Sequence, residues 1–170
     1  LILAPGAAWA QDSEDLELKR IREMAARVRP EAVRYREQGG KAGDPNDPAR
    51  KWAATFWQYR QEHPGTPAAA AATRTALAWL RHGKQDAEVI AKADTLAAND
   101  PVWEDVIDGL RQSAEATGEM NRFLAKTNWL LRETKDPKVK TAVKMSQARA
   151  YLNLNRLEEA KALFRAAADE

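Results

Sequence analysis

The sequence predicts an all-α protein, an α-solenoid of helical hairpins set behind a long N-terminal helix. Three observations predict it. Ala, Leu, Glu, Lys and Arg, all strong helix formers, dominate the 170 residues. Val, Ile and Thr never fall into the alternating runs that a sheet requires. The third observation is a rhythm: Pro64, Pro101 and Pro137 recur at intervals of 37 and 36 residues. Gly83, Gly118 and Asn155 follow them by 19, 17 and 18 residues. Such residues tolerate the left-handed backbone that ends many helices, so each period reads as helix, turn, helix. A hairpin that cannot cover its own apolar face must stack on its neighbours.

The chain opens "LILAPGAAWAQDSED", a short apolar run, then Ala8-Trp9-Ala10, then Gln11 and acidic residues. Small residues at Ala8 and Ala10 suit signal-peptidase cleavage. Residues 1–10 are therefore expected to be a signal-peptide remnant, with export to the periplasm or the extracellular space. No stretch approaches the roughly 18 apolar residues that suggest a membrane span. The net charge of +2 is too small to argue for nucleic acid. Cysteine is absent, which removes disulfides, thiol nucleophiles and Cys-based metal sites.

Residues 11–62 are expected to hold N-terminal helices interrupted by a Gly/Pro loop at 38–48. In the first helix Leu18, Ile21, Ala25, Val28, Ala32 and Tyr35 recur three and four apart, which places them on one face. Asp12 or Ser13 is the expected cap, Glu14 and Asp15 suit the positive end of the dipole, and Pro30 should kink or restart the helix. From Pro48 a second helix carries Trp52, Phe56 and Tyr59 as a stripe, with Trp57 beside it. That stripe reads as a core face, or as a platform for stacking a ligand. Three hairpins should follow, over 63–99, 100–135 and 136–170.

The last period carries a family resemblance. Ala148, Tyr151, Ala160, Phe164 and Ala167 follow the small–aromatic–Ala–aromatic–Ala spacing, and "RLEEAKALF" resembles the second helix, of a tetratricopeptide repeat. The resemblance implies close helix approach at the small residues, with Tyr151 and Phe164 filling the space between hairpins. Lys144 and Gln147 depart from it, standing where the motif prefers Trp and Leu. The two earlier periods share length and punctuation and are only tetratricopeptide-like or HEAT-like. The layout as a whole, with its leader, charged first helix, "HPGTPAA" and "LNRLEEAKALF", resembles the helical region ahead of the thioredoxin-like domain in exported TlpA-type, redoxin-containing bacterial proteins. That resemblance implies redox chemistry at a downstream Cys-x-x-Cys. It carries no catalytic residue onto this chain.

Candidate chemistry in the chain itself is sparse. His63 and His82 precede Pro64 and Gly83 at helix ends, where an imidazole favours the negative end of the dipole. No His-x-x-x-His or Glu-x-x-His grouping points to a metal. "GGKAGD" lacks the spacing of a phosphate loop, and "DPNDP" that of a calcium loop. Among the basic residues of "KDPKVKTAVK", Lys140 and Lys144 share a helical face and are the candidate partner contacts; a solvated face is the plainer reading. The sequence thus points to a non-catalytic, exported helical-repeat module without cofactor or metal. Its expected partner is a protein, a peptide or its own downstream thioredoxin-like domain. An accessory region of a thiol–disulfide oxidoreductase and a structural spacer or dimerisation element are the alternatives.

Overall fold

The computed structural model describes residues 6–168, with side chains from Glu14 onward. Eight α-helices and no strand are present among the described residues. They divide into two compact units, one ending at Lys84 and the other beginning at Gln85. The division falls in the turn at the middle of the first expected hairpin, 63–99.

The first unit holds α1 (Gly6–Glu37), α2 (Pro48–Glu62) and α3 (Pro67–His82), each packed on the other two. Ile21, Val28 and Ala32 of α1 are buried, with Leu18, Ala25 and Tyr35 half-buried at the edges of the expected face. The helix starts at Gly6, ahead of the expected cap at Asp12 or Ser13, and it runs through Pro30 without restarting. Pro30 is exposed. The side chains of the expected leader, residues 1–10, lie outside the described residues.

Helix α2 buries Ala49, Ala53, Phe56 and Trp57, and α3 buries Ala68, Ala69, Ala72 and Ala76 together with Leu77 and Leu80. Facing alanines let the two backbones approach, and Phe56 and Trp57 supply the apolar bulk that alanine lacks. Asp47 fixes the start of α2. It is 0% exposed, and its carboxylate accepts from Ala49 N at 2.9 Å and from Gly43 N at 3.0 Å. One side chain therefore caps the helix and gathers the preceding loop. Asp44 anchors the same loop by accepting from the Tyr35 hydroxyl at 3.2 Å and from Lys41 N at 3.1 Å. A Cβ on Gly40 would collide with the Tyr35 ring, so the close approach there requires glycine.

The second unit holds α4 (Asp86–Asp94), α5 (Trp103–Thr117), α6 (Met120–Glu133), α7 (Pro137–Asn153) and α8 (Leu157–Ala168). Helix α4 packs on α5, α5 on α6 and α7, α6 on α7, and α7 on α8. Trp103, Val106, Ile107, Leu110, Phe123, Leu130, Val139 and Val143 form the centre of its core. The Trp103 indole donates to Ala97 O at 2.7 Å, which removes the cost of burying its N–H. Asp108 on α5 accepts from Arg111 and Gln112 of its own helix and from Arg149 on α7. Burial pushes its carboxyl upward, but these donors and the Arg111 charge outweigh that and hold it near about 2.

The expected punctuation is present with one change. Gly118 (φ 73°) and Asn155 (φ 57°) take left-handed backbone, whereas Gly83 (φ −80°) does not and Lys84 (φ 55°) takes it instead. At Gly83 the premium is on space: an added Cβ would lie 3.3 Å from Trp79 O and 3.4 Å from Leu80 O. Proline placement shifts similarly, with Pro67 rather than Pro64 opening α3 and Pro101 lying just ahead of α5. Three helices begin with a capping residue followed by proline: Asp47–Pro48, Thr66–Pro67 and Asp136–Pro137.

The two aspartate caps separate a local from a tertiary role. Asp136 is exposed and accepts from Lys138 N at 2.9 Å. Asp136→Ala should cost about 1 kcal/mol, the usual loss of a cap. Asp47→Ala should cost about 2–3 kcal/mol, because a buried loop contact is lost with the cap. Urea unfolding of both variants checks this, and equal losses would mean that the loop does not depend on Asp47.

Candidate functional site

A cleft of about 270 Å³ opens in the first unit where three helix segments converge. Glu14 and Glu17 project from α1, Tyr59 from the last turn of α2, and His63 is the residue that ends α2. Thr66, Pro67 and Ala68, at the start of α3, complete it. The "HPGTP" stretch builds this junction. His63 N donates to Tyr59 O at 3.0 Å and closes α2, and Gly65 turns the chain with φ 80°. Thr66 Oγ1 then donates to His63 O and accepts from Ala69 N, both at 3.1 Å, which starts α3. One threonine therefore ties the end of one helix to the beginning of the next.

The geometry pins two of the lining groups. Tyr59 and His63 lie four residues apart, and their rings stack with centroids 4.3 Å apart and planes 24° apart. The Tyr59 hydroxyl donates to Glu17 Oε2 at 2.9 Å across 42 residues of sequence. Burial, then the hydrogen bond to Glu17 and its negative charge, push the Tyr59 phenol up to about 12. The phenol is thus a fixed donor at neutral pH, and it aims the Glu17 carboxylate. Glu17 also lies 3.9 Å from Arg20 in an exposed pair, a contact of little energetic weight. Glu14, one turn earlier and exposed, makes no ion pair among the described residues.

A second aromatic–glutamate bond acts further along the same helix pair. Trp52 Nε1 donates to Glu31 Oε2 at 2.6 Å. The expected aromatic stripe of α2 therefore has two functions. Phe56 and Trp57 are core residues, while Trp52 and Tyr59 are half-buried and bind α1 through their polar atoms.

The residues singled out from the sequence are distributed as follows. Ala148, Ala160 and Ala167 are buried in the α7–α8 hairpin, as the tetratricopeptide spacing implies. Tyr151 and Phe164 are only half-buried, which corrects the expectation that they fill the space between hairpins. Tyr151 carries the Arg156 guanidinium 4.5 Å from its ring centre, so one of its faces holds a cation rather than a helix. Lys144, the expected partner contact, donates to Ala166 O at 3.2 Å in the last described turn of α8. Lys140 is half-buried on the same helix. Gln147 is buried and donates to Thr127 Oγ1 and Asn128 Oδ1, each at 2.8 Å. Both departures from the motif thus have specific hydrogen-bonding partners. His63 does end α2, but its ring belongs to the cleft, which the sequence alone did not disclose.

Lys126, in the second unit, is committed to structure. Lys126 lies 4.0 Å from the Trp129 ring centre and 5.3 Å from that of Trp103, and it donates to Asp94 O and Leu96 O behind α4. Burial lowers its pKa, and the crevice beside it leaves no room for a water-sized ligand. Among the described residues no three or more His, Asp or Glu side chains are grouped to hold a metal ion. No described helix is long and apolar enough to cross a membrane. Comparison with protein-family models, curated proteins and solved structures yields no match for this chain.

The raised phenol pKa has a defined sign in stability. Native Tyr59 keeps its proton to about pH 12, whereas an unfolded tyrosine loses it near 10. Its contribution is fully present below pH 10 and is lost as pH rises from 10 to about 12. Tyr59→Phe should flatten the stability profile in that window, and Glu17→Gln should move the Tyr59 absorbance titration at 295 nm down towards 10. An unchanged titration in Glu17→Gln would contradict the bond.

Proposed function

We propose that this chain is an exported, non-catalytic helical-repeat module that binds a protein or peptide segment. The observation that carries the reading is the cleft at the α1–α2–α3 junction, whose walls combine two carboxylates with a stacked aromatic pair. Its volume of about 270 Å³ falls below the roughly 300–1,000 Å³ of sites that enclose a whole small ligand. It suits one side chain of a longer partner. The order of packing in the second unit, where α4 to α8 lie against their chain neighbours and α5 against α7, supports the tetratricopeptide-like stacked-hairpin reading. Stacked hairpins present extended surfaces to partners of that kind. The proposed export rests on the Ala8-Trp9-Ala10 leader pattern. Cleavage after Ala10 would leave every residue of the cleft in the mature chain.

Selection of a random dodecapeptide library on the immobilised protein tests the reading. A recurrent sequence pattern should emerge, binding the free protein with Kd on the order of 10 μM, about −7 kcal/mol. Absence of any enriched pattern would contradict a peptide-binding role.

A further inference from the structure

Resting on the peptide-binding reading, the geometry points to a specific ligand for the cleft: the guanidinium or ammonium group at the end of an aliphatic stem, as on an arginine or lysine side chain. Three features of the walls converge on that chemistry. Glu14 and Glu17 sit three residues apart on one helix and line the same opening, which puts their carboxylates on neighbouring positions of one face. Two anionic groups at that separation repel an anion and have no use for a neutral apolar group. They match the several N–H edges of a guanidinium or the donors of an ammonium.

The second feature is the aromatic wall. Tyr59 and His63 stack nearly parallel, and both line the cleft. A planar guanidinium is weakly hydrated and packs against such rings while it donates to carboxylates at its edge. Arginine is favoured over lysine for this reason. The third feature is the short apolar stretch from Pro67 and Ala68, against which a methylene stem can lie while its charged end reaches the glutamates.

Glu17 is held ready for this role. The Tyr59 hydroxyl occupies its Oε2, and the exposed Arg20 guanidinium stands 3.9 Å from its Oε1. An incoming cation competes with Arg20 for that oxygen, and a loose exposed pair yields readily. Glu14 needs no such exchange.

One cation held by partly exposed carboxylates gives weak binding, with Kd on the order of 1 mM, so the test must read weak complexes. The full chain, ¹⁵N-labelled, is titrated at low ionic strength with Gly-Gly-Arg-Gly-Gly, with the same peptide carrying citrulline, and with agmatine. The arginine peptide should shift the amides of His63, Thr66 and Ala68 and bind at least about tenfold more tightly than the citrulline peptide. Glu14→Gln should weaken it about threefold to fivefold, and Glu14→Lys should abolish it. Neither variant disturbs a contact within the described fold. Added salt at 0.5 M should also weaken it.

Agmatine binding as tightly as the peptide would assign the site to a free organic cation. Tighter peptide binding assigns it to a side chain in a polypeptide. Equal affinity for arginine and citrulline peptides, or shifts indifferent to Glu14→Lys, would overturn the inference. Library-selected peptides that bind Glu14→Lys normally would overturn it as well, while leaving the module reading intact.

Discussion

Two hydrogen bonds from α2 to α1, Tyr59 to Glu17 and Trp52 to Glu31, govern how the longest described helix sits on α2. Among its described side chains, α1 buries only Ile21, Val28 and Ala32. Two of these are worth about 1.5–3 kcal/mol each on full burial, and the alanine is worth less. A narrow apolar face of that kind holds a helix against a partner but fixes its rotation and axial position weakly. Each aromatic donor accepts one geometry, and the two bonds lie 14 residues apart along α1. With the Arg36 guanidinium, which donates to His82 O at 3.1 Å, they set both rotation and register. The cleft depends on that register, since its walls combine Glu14 and Glu17 of α1 with Tyr59 and His63.

The two units solve the same problem with different means. In the first, alanine-rich helices pack closely and polar side chains specify the geometry. Asp47, buried at the head of α2, anchors the loop, and the Tyr35 ring leaves room only for glycine at Gly40. In the second, larger apolar side chains fill the core, and buried polar groups such as Gln147 and Thr127 specify which helices meet. A buried amide with its partners satisfied costs little, but it penalises any alternative pairing that leaves it unsatisfied. This accounts for a buried glutamine at Gln147.

Much of the fold was legible because it is written locally. The heptad-like run from Leu18 to Tyr35, the helix starts at Pro48 and Pro137, and the turns at Gly118 and Asn155 all follow from spacing and backbone preference. Where the structure differs from these expectations, a second local effect had won. The left-handed residue expected at Gly83 is Lys84, one position later, and α1 continues through the exposed Pro30 without a restart. The site was much less legible. Tyr59 and His63 stand four apart and could have been paired as a stack, but Glu17 is 42 residues from Tyr59, and no local pattern announces that bond. Lys144 illustrates the converse: its neighbourhood on one helix suggested a free cation, and a carbonyl 22 residues later claims it.

Amide hydrogen exchange on a Trp52→Phe/Tyr59→Phe variant tests the central claim most directly. Tyr59→Phe removes only the donor, and Trp52→Phe removes the indole N–H while keeping an aromatic ring beside Phe56. If those bonds hold α1 in register, its amides from Glu17 to Tyr35 should exchange about tenfold faster, a loss of about 1.4 kcal/mol that matches one or two partly exposed hydrogen bonds. Protection across Ala53–Trp57 and Ala68–Leu80 should stay as it is in the parent protein. Unchanged protection in α1 would contradict the account, because its apolar face and the Arg36–His82 bond would then suffice to place it.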